Sequence, residues 1–148
     1  RSQPIILRET PQRDLSILAL VILGAGVFPT SVQPPITQPV TRPPVAASPE
    51  YGKYMVSILP CSDCHGANLA GGKGGLGPPP GPNLSLIVPR WTEQDFLRFF
   101  ETGTDPAGHT VDQALMPADE YRRALTDDEL RAIYAYLRAL PQLPTNQR

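Results

Sequence analysis

Cys61-Ser62-Asp63-Cys64-His65, the run CSDCH, decides how this chain is read. Two thiols three positions apart, followed at once by an imidazole, form the C-x-x-C-H signature for covalent attachment of a c-type haem. The thiols can add to the two vinyl groups of one porphyrin, and the adjacent His65 offers a nitrogen to the iron. Other uses of such a pair fit less well. A thioredoxin-like redox pair needs a βαβ pattern around it, and none is present. A zinc site needs two further ligands, whereas the chain has no other Cys and only one other His, His109. A plain disulfide does not account for what the downstream sequence supplies.

The 148 residues leave room for one domain with appendages. Both cysteines belong to the motif, so no thiol remains for a disulfide or a lipid anchor. Charge divides unevenly. Residues 1–49 hold four Arg against Glu9 and Asp14, while residues 50–148 hold nine basic and twelve acidic side chains. An acidic head is a poor nucleic-acid binder and favours a basic docking partner.

Upstream, LSILALVILGAGVF (residues 15–28) runs fourteen positions without a charge. That is the length of a signal-peptide h-region and short for a membrane span. Thr10-Pro11 lengthens the count, because Thr is a good N-cap and Pro a good first helical residue. A helix over residues 11–28 is about 27 Å long, close to the ~30 Å hydrocarbon core, and Arg13 can snorkel to the headgroups. GAGVFPTS offers no convincing small-x-small cleavage site. Residues 1–28 are therefore expected to form a short cytoplasmic segment and an uncleaved single-pass transmembrane anchor, in preference to a cleaved signal or a buried apolar helix. The Arg-bearing N-terminus stays inside, which places everything after Phe28 outside. Residues 29–49 contain seven prolines and read as a semi-rigid spacer able to reach roughly 60 Å. The spacer tethers the haem domain, residues 50–148, near the bilayer but not in it.

Ser48-Pro49-Glu50 starts the head as an N-cap followed by proline. Tyr51, Tyr54, Met55, Ile58 and Leu59 then share one helical face, with Gly52 beside them letting another helix approach. GANLAGGKGGLGPPPGP (residues 66–82) is a Gly/Pro loop. It lacks G-x-x-x-x-G-K-[ST] and a preceding strand, so a phosphate loop is set aside for one that wraps a haem edge. Thr92 caps a second helix, with Trp91 stapled to Phe96, a core side of Phe96, Leu97, Phe99 and Phe100, and a left-handed exit at Gly103. Residues 104–120 read as irregular and carry Met116-Pro117. In the last helix Thr126 caps, Glu129 completes a capping box, and Leu125 staples Leu130. Leu130, Ile133, Leu137 and Leu140 form its buried stripe, flanked by Tyr134 or Tyr136, and Pro141 ends it.

With CSDCH, Met116-Pro117 and the capped last helix in place, residues from about 50 to 141 resemble a class I cytochrome c. GKYMVSILPCSDCHG, GPNLS, RWTEQDF, MPADEY and LTDDELRAIYAYLRALP are similar in particular to single-haem modules and subunits of bacterial membrane oxidoreductases. The resemblance implies a small all-α fold whose first and last helices cross near Gly52, with one covalent haem c between helices. It implies Met116 as the distal iron ligand beside His65, and the Pro82 carbonyl as acceptor for the other nitrogen of His65. It also implies an exported, periplasmic haem domain. The anchor and spacer lie outside the resemblance.

A His/Met pair has a physical logic, since a soft thioether favours ferrous over ferric iron and raises the potential. Of the two methionines, Met55 lies on an apolar helix face and suits core packing. Met116 lies in a loop, from which a side chain can be aimed at iron; His109 or an open position are the alternatives. Arg90, Trp91 and Tyr121 are candidates for contacts with the propionates or the haem edge. The expected function is single-electron transfer without substrate chemistry of its own, on the outer face of an energy-transducing bacterial membrane. The chain would be a monohaem subunit of a quinol-oxidising respiratory or photosynthetic complex, alternative complex III being one such assembly. Expected partners are the membrane, the other subunits, and redox donor and acceptor proteins, with no nucleic acid. The alternatives are the cytochrome subunit of a periplasmic dehydrogenase and, in a different class, a haem sensor or peroxidase with a vacant or displaceable distal ligand.

Overall fold

A computed structural model of the chain describes residues 15–26, 37, 41–72 and 79–146. The chain divides into two compact units, Arg1–Val40 and Thr41–Arg148. In the first, helix α1 spans Ile17–Gly24 only, with Ser16 in extended conformation as its N-cap. The Ser16 hydroxyl accepts from the Ala19 N–H, and Gly26 leaves the helix at φ +68°. This corrects the expected continuous helix over residues 11–28. A serine inside the apolar run offers the backbone a nearer cap than Thr10, and eight residues span only about 12 Å. Among the described residues no helix is long and apolar enough to cross a membrane. Thr10, Pro11 and Arg13, and most of the proline spacer, lie outside the described residues. Residues 41–48, read above as spacer, belong with the second unit.

The second unit is helical. It comprises α2 (Pro49–Ile58), α3 (Cys61–His65), α4 (Leu84–Ile87), a 3₁₀ turn (Val88–Arg90), α5 (Glu93–Thr102), α6 (Ala118–Ala124) and α7 (Asp127–Arg138). Among the described residues there is no strand, only two isolated bridges, Ala70 with Asn83 and Thr104 with Thr110. Helices α2 and α7 cross at Gly52. A β-carbon there would sit 1.9 Å from the Ala132 carbonyl oxygen and 2.8 Å from the Tyr136 β-carbon. The crossing implied by the resemblance is therefore made, and made by absence of a side chain. The buried face of α2 is Tyr51, Gly52, Met55 and Val56, while Ile58 is exposed. The helix ends at Ile58 and the chain turns into α3, so the apolar stripe does not continue to that residue.

Local signals placed α5 and α7 well. Thr92 and Asp95 form one capping box, Thr126 and Glu129 another, and Gly103 exits α5 at φ +68°. Trp91 packs its ring on Phe99, 5.5 Å between centroids, where a staple to Phe96 was expected. Helix α6, ADEYRRA, begins inside the stretch read as irregular and runs past its end at residue 120; its N-cap is Pro117, which has no side-chain cap to advertise it. Leu130, Ile133 and Leu137 of α7 pack with Phe96, Phe99 and Phe100 of α5 in one core, with Leu140 partly buried at its edge.

The second box also ties α7 to α2. The Thr126 N–H donates to the Glu129 carboxylate at 2.8 Å, and the Tyr51 hydroxyl donates to its other oxygen at 3.3 Å. Those donors, the Thr126 backbone foremost, hold the Glu129 pKa below the ordinary glutamate value against a smaller opposing effect of burial. A depressed carboxylate contributes stability above its unfolded pKa of about 4.3 and loses it as pH falls through the folded value. Glu129→Gln should therefore flatten the acid limb of the stability curve below about pH 4.5. Denaturant melts between pH 3 and 7 check this, and an acid limb as steep as that of the parent would refute it.

Candidate haem-binding site

Helix α3 is a single turn that sets Cys61, Cys64 and His65 on one wall of a cavity of about 600 Å³. That volume lies within the range usual for small-molecule and cofactor sites. The other walls are mainly apolar: Leu59, Val88, Trp91, the three phenylalanines of α5, Val111, Leu115, Met116, Leu125, Ile133 and Leu137. Both thiols are free and half-buried. Burial pushes the Cys61 thiol up, with Asp63 and Cys64 adding to the effect.

His65 is the key to the proximal wall. Its Nδ1 lies 2.8 Å from the Pro82 carbonyl oxygen, so Nδ1 must carry the proton and donate. Burial lowers the His65 pKa and outweighs the opposing effect of that bond. The ring is neutral, and Nε2 keeps a free lone pair of the kind iron takes. Gly81 is required here. A β-carbon at that position would lie 2.8 Å from both Cε1 and Nδ1 of His65. The loop is fastened from both ends, with the Gly81 N–H donating to the Cys64 carbonyl at 2.7 Å and the Gly71 N–H to the His65 carbonyl at 2.9 Å. Lys73 and its neighbours up to residue 78 lie outside the described residues.

The cavity brings together Cys61, Cys64, His65, Pro82 and Met116. Trp91 and Tyr121 also line it, whereas Arg90 does not. His109 lies at its rim with a side chain 81% exposed, bonded through Nδ1 to Asp105 at 3.2 Å. Met55 is buried in the core and does not line the cavity. Sequence reasoning missed the Asp63, Asp105 and Asp112 rim, because Asp63 lies far along the chain from the other two. It also missed the buried polar pair Asn83 and Ser85 behind Pro82.

Two free thiols, a neutral oriented imidazole and a large apolar cavity fit a covalently held, largely buried porphyrin. They define a helical single-haem domain of the class I cytochrome c kind. The protein-family model for cytochrome c matches residues 49–141, and the chain belongs to the cytochrome c family. No curated protein and no solved structure matches the chain significantly. Family membership brings covalent haem c with its iron, and with it electron transfer: the domain is an electron carrier and not in itself an enzyme.

Proposed function

We propose that this chain carries single electrons through one haem c whose iron His65 and Met116 would hold. It does so outside the cytoplasm, as a subunit of a membrane oxidoreductase that oxidises quinol. When bound, the haem supplies a one-electron ferric/ferrous couple. Cys61 and Cys64 hold it as thioethers, and the Pro82 carbonyl fixes the His65 ring by accepting from Nδ1. Phe96, Phe99, Phe100, Ile133 and Leu137 exclude water, which favours the less charged ferrous state and limits reorganisation. Met116 sits on the loop after Gly103 and supplies a soft sulfur to the same cavity. The observation that carries this reading is that His65 and Met116, fifty-one positions apart, line one apolar cavity. The far-red band of thioether-ligated ferric haem tests it. Its absence, with carbon monoxide binding readily to the reduced protein, would favour the sensor reading.

The acidic cavity rim, Asp63, Asp105 and Asp112, supports a basic redox partner. We further propose that residues 1–28 anchor the head to the membrane. What supports this is the charge-free run and the exposure of Leu15, Ile17, Leu18, Leu20 and Val21, side chains that water solvates poorly. The full chain should stay with membranes through a carbonate wash. A head starting at Ser48, exported by a foreign signal, should be soluble and carry haem. Full-length protein in the carbonate supernatant would refute the anchor. The dehydrogenase-subunit alternative would be favoured by co-purification with a periplasmic dehydrogenase from solubilised membranes.

A further inference from the structure

Asn83 and Ser85 are buried polar residues that the haem cavity does not use. Asn83 is 5% exposed, Ser85 is 0% exposed, and neither lines the cavity. Burying polar side chains in an apolar core is costly unless each finds partners, so their partners identify their purpose. Those partners lie beyond α7. The Leu143 N–H donates to Ser85 Oγ at 3.1 Å, Ser85 Oγ donates to Asn83 Oδ1 at 2.7 Å, and Asn83 Nδ2 donates to the Leu143 carbonyl at 2.9 Å. The circuit is closed. Asn83 Nδ2 also reaches Thr145 Oγ1 at 3.2 Å.

The same segment grips the other side of His65. The Asn146 N–H donates to the Ala70 carbonyl at 3.0 Å, and Asn146 Nδ2 donates to the Gly71 and Asn68 oxygens. Asn68 Nδ2 returns a bond to Asn146 Oδ1 at 3.2 Å. Gly71 is the residue whose N–H holds the His65 carbonyl, and Asn83 directly follows the Pro82 that accepts from His65 Nδ1. Proline has no N–H, so the place of the Pro82 carbonyl is set by its neighbours. The neighbour on its far side is Asn83, locked by residues 143–145.

We propose that residues 143–146 form a strap that holds the Pro82 carbonyl against His65, and that Asn83, Ser85 and Asn146 are positioning residues for the proximal ligand. Through them the segment that follows the last helix acts on the haem's potential. A carbonyl held firmly on Nδ1–H makes the imidazole more basic, which favours ferric iron and lowers the potential. Loosening it raises the potential. The inference rests on the reading of His65 as the iron ligand.

The holoprotein tests it with two readouts, the midpoint potential and the exchange of the His65 ring N–H followed by NMR. The variants are a truncation after Gln142 and Ser85→Ala, and Thr126→Ala is the control that weakens the fold far from this circuit. Both strap variants should raise the potential. Both should speed ring N–H exchange by roughly tenfold, as loss of one net hydrogen bond would. Ser85→Ala in the truncated chain should add less than it does in the intact chain, because truncation has already broken the circuit and only the Ser85–Asn83 bond is left to lose. Thr126→Ala should lower the melting temperature and leave both readouts alone. Should truncation prevent haem attachment, Ser85→Ala reads the effect by itself. Strap variants that lose only thermal stability, with potential and ring exchange at parental values, would overturn the proposal. A parent protein without the hyperfine-shifted imidazole signals of a bound histidine would instead overturn the ligand reading.

Discussion

Met116→Ala is expected to leave the haem covalently attached while lowering its midpoint potential by on the order of 100 mV and admitting added ligands such as imidazole. The attachment depends on Cys61 and Cys64 and on neither methionine. The loss at the distal position removes the soft sulfur that favours ferrous iron. Met116 is well placed for that part. Its N–H donates to the Asp112 carbonyl at 2.8 Å and its carbonyl accepts from the Ala118 N–H at 2.7 Å. The backbone is thus fixed on both sides while the half-buried side chain lines the cavity. Met55→Leu is the contrast. It is a near volume-conserving change in the core, expected to cost under about 1.5 kcal/mol and to preserve spectrum and potential. Redox titration and ligand titration of the two variants check this. An unchanged potential in Met116→Ala would pass the distal role to His109 or another group.

Gly52→Ala is expected to destabilise the head by about 3 kcal/mol or more, a large part of the 5–15 kcal/mol that holds a typical domain together. Helix propensity argues the other way, since alanine in a helix interior is favoured over glycine by about 1 kcal/mol. Sterics decide the sign. The added methyl would lie 1.9 Å and 2.5 Å from the oxygen and carbon of the Ala132 carbonyl, which are backbone atoms of a buried helix and cannot swing aside. Helices α2 and α7 must separate, and the motif that follows α2 moves with them. Urea melts of the holoprotein measure the effect. A midpoint close to that of the parent would show that the crossing tolerates a side chain.

What the sequence determined by itself was local. CSDCH named the prosthetic group because its chemistry needs only five consecutive residues. Thr92, Thr126 and Glu129 marked helix starts because a cap acts over three residues, and Gly52 marked a point where another helix could come close because it carries no side chain; that the last helix does so came from likeness to a family. The Pro82 carbonyl and Met116 came from likeness to a family, and the structure places both beside the same cavity. Where local signals competed or were missing, the tertiary structure decided. Ser16 starts α1 well inside the apolar run, so an expected span of eighteen residues became a helix of eight. Helix α6 has no side-chain cap and a mostly polar sequence, and its burial of Ala118 comes from the fold around it. The pairing of Trp91 with Phe99 depends on the turn that precedes α5. The strap is the clearest case. Asn83 and Ser85 meet Leu143 and Thr145 across about sixty residues, and polar side chains at that separation leave no periodic trace in a sequence. Only folding, which buries them together away from water, makes their hydrogen bonds necessary.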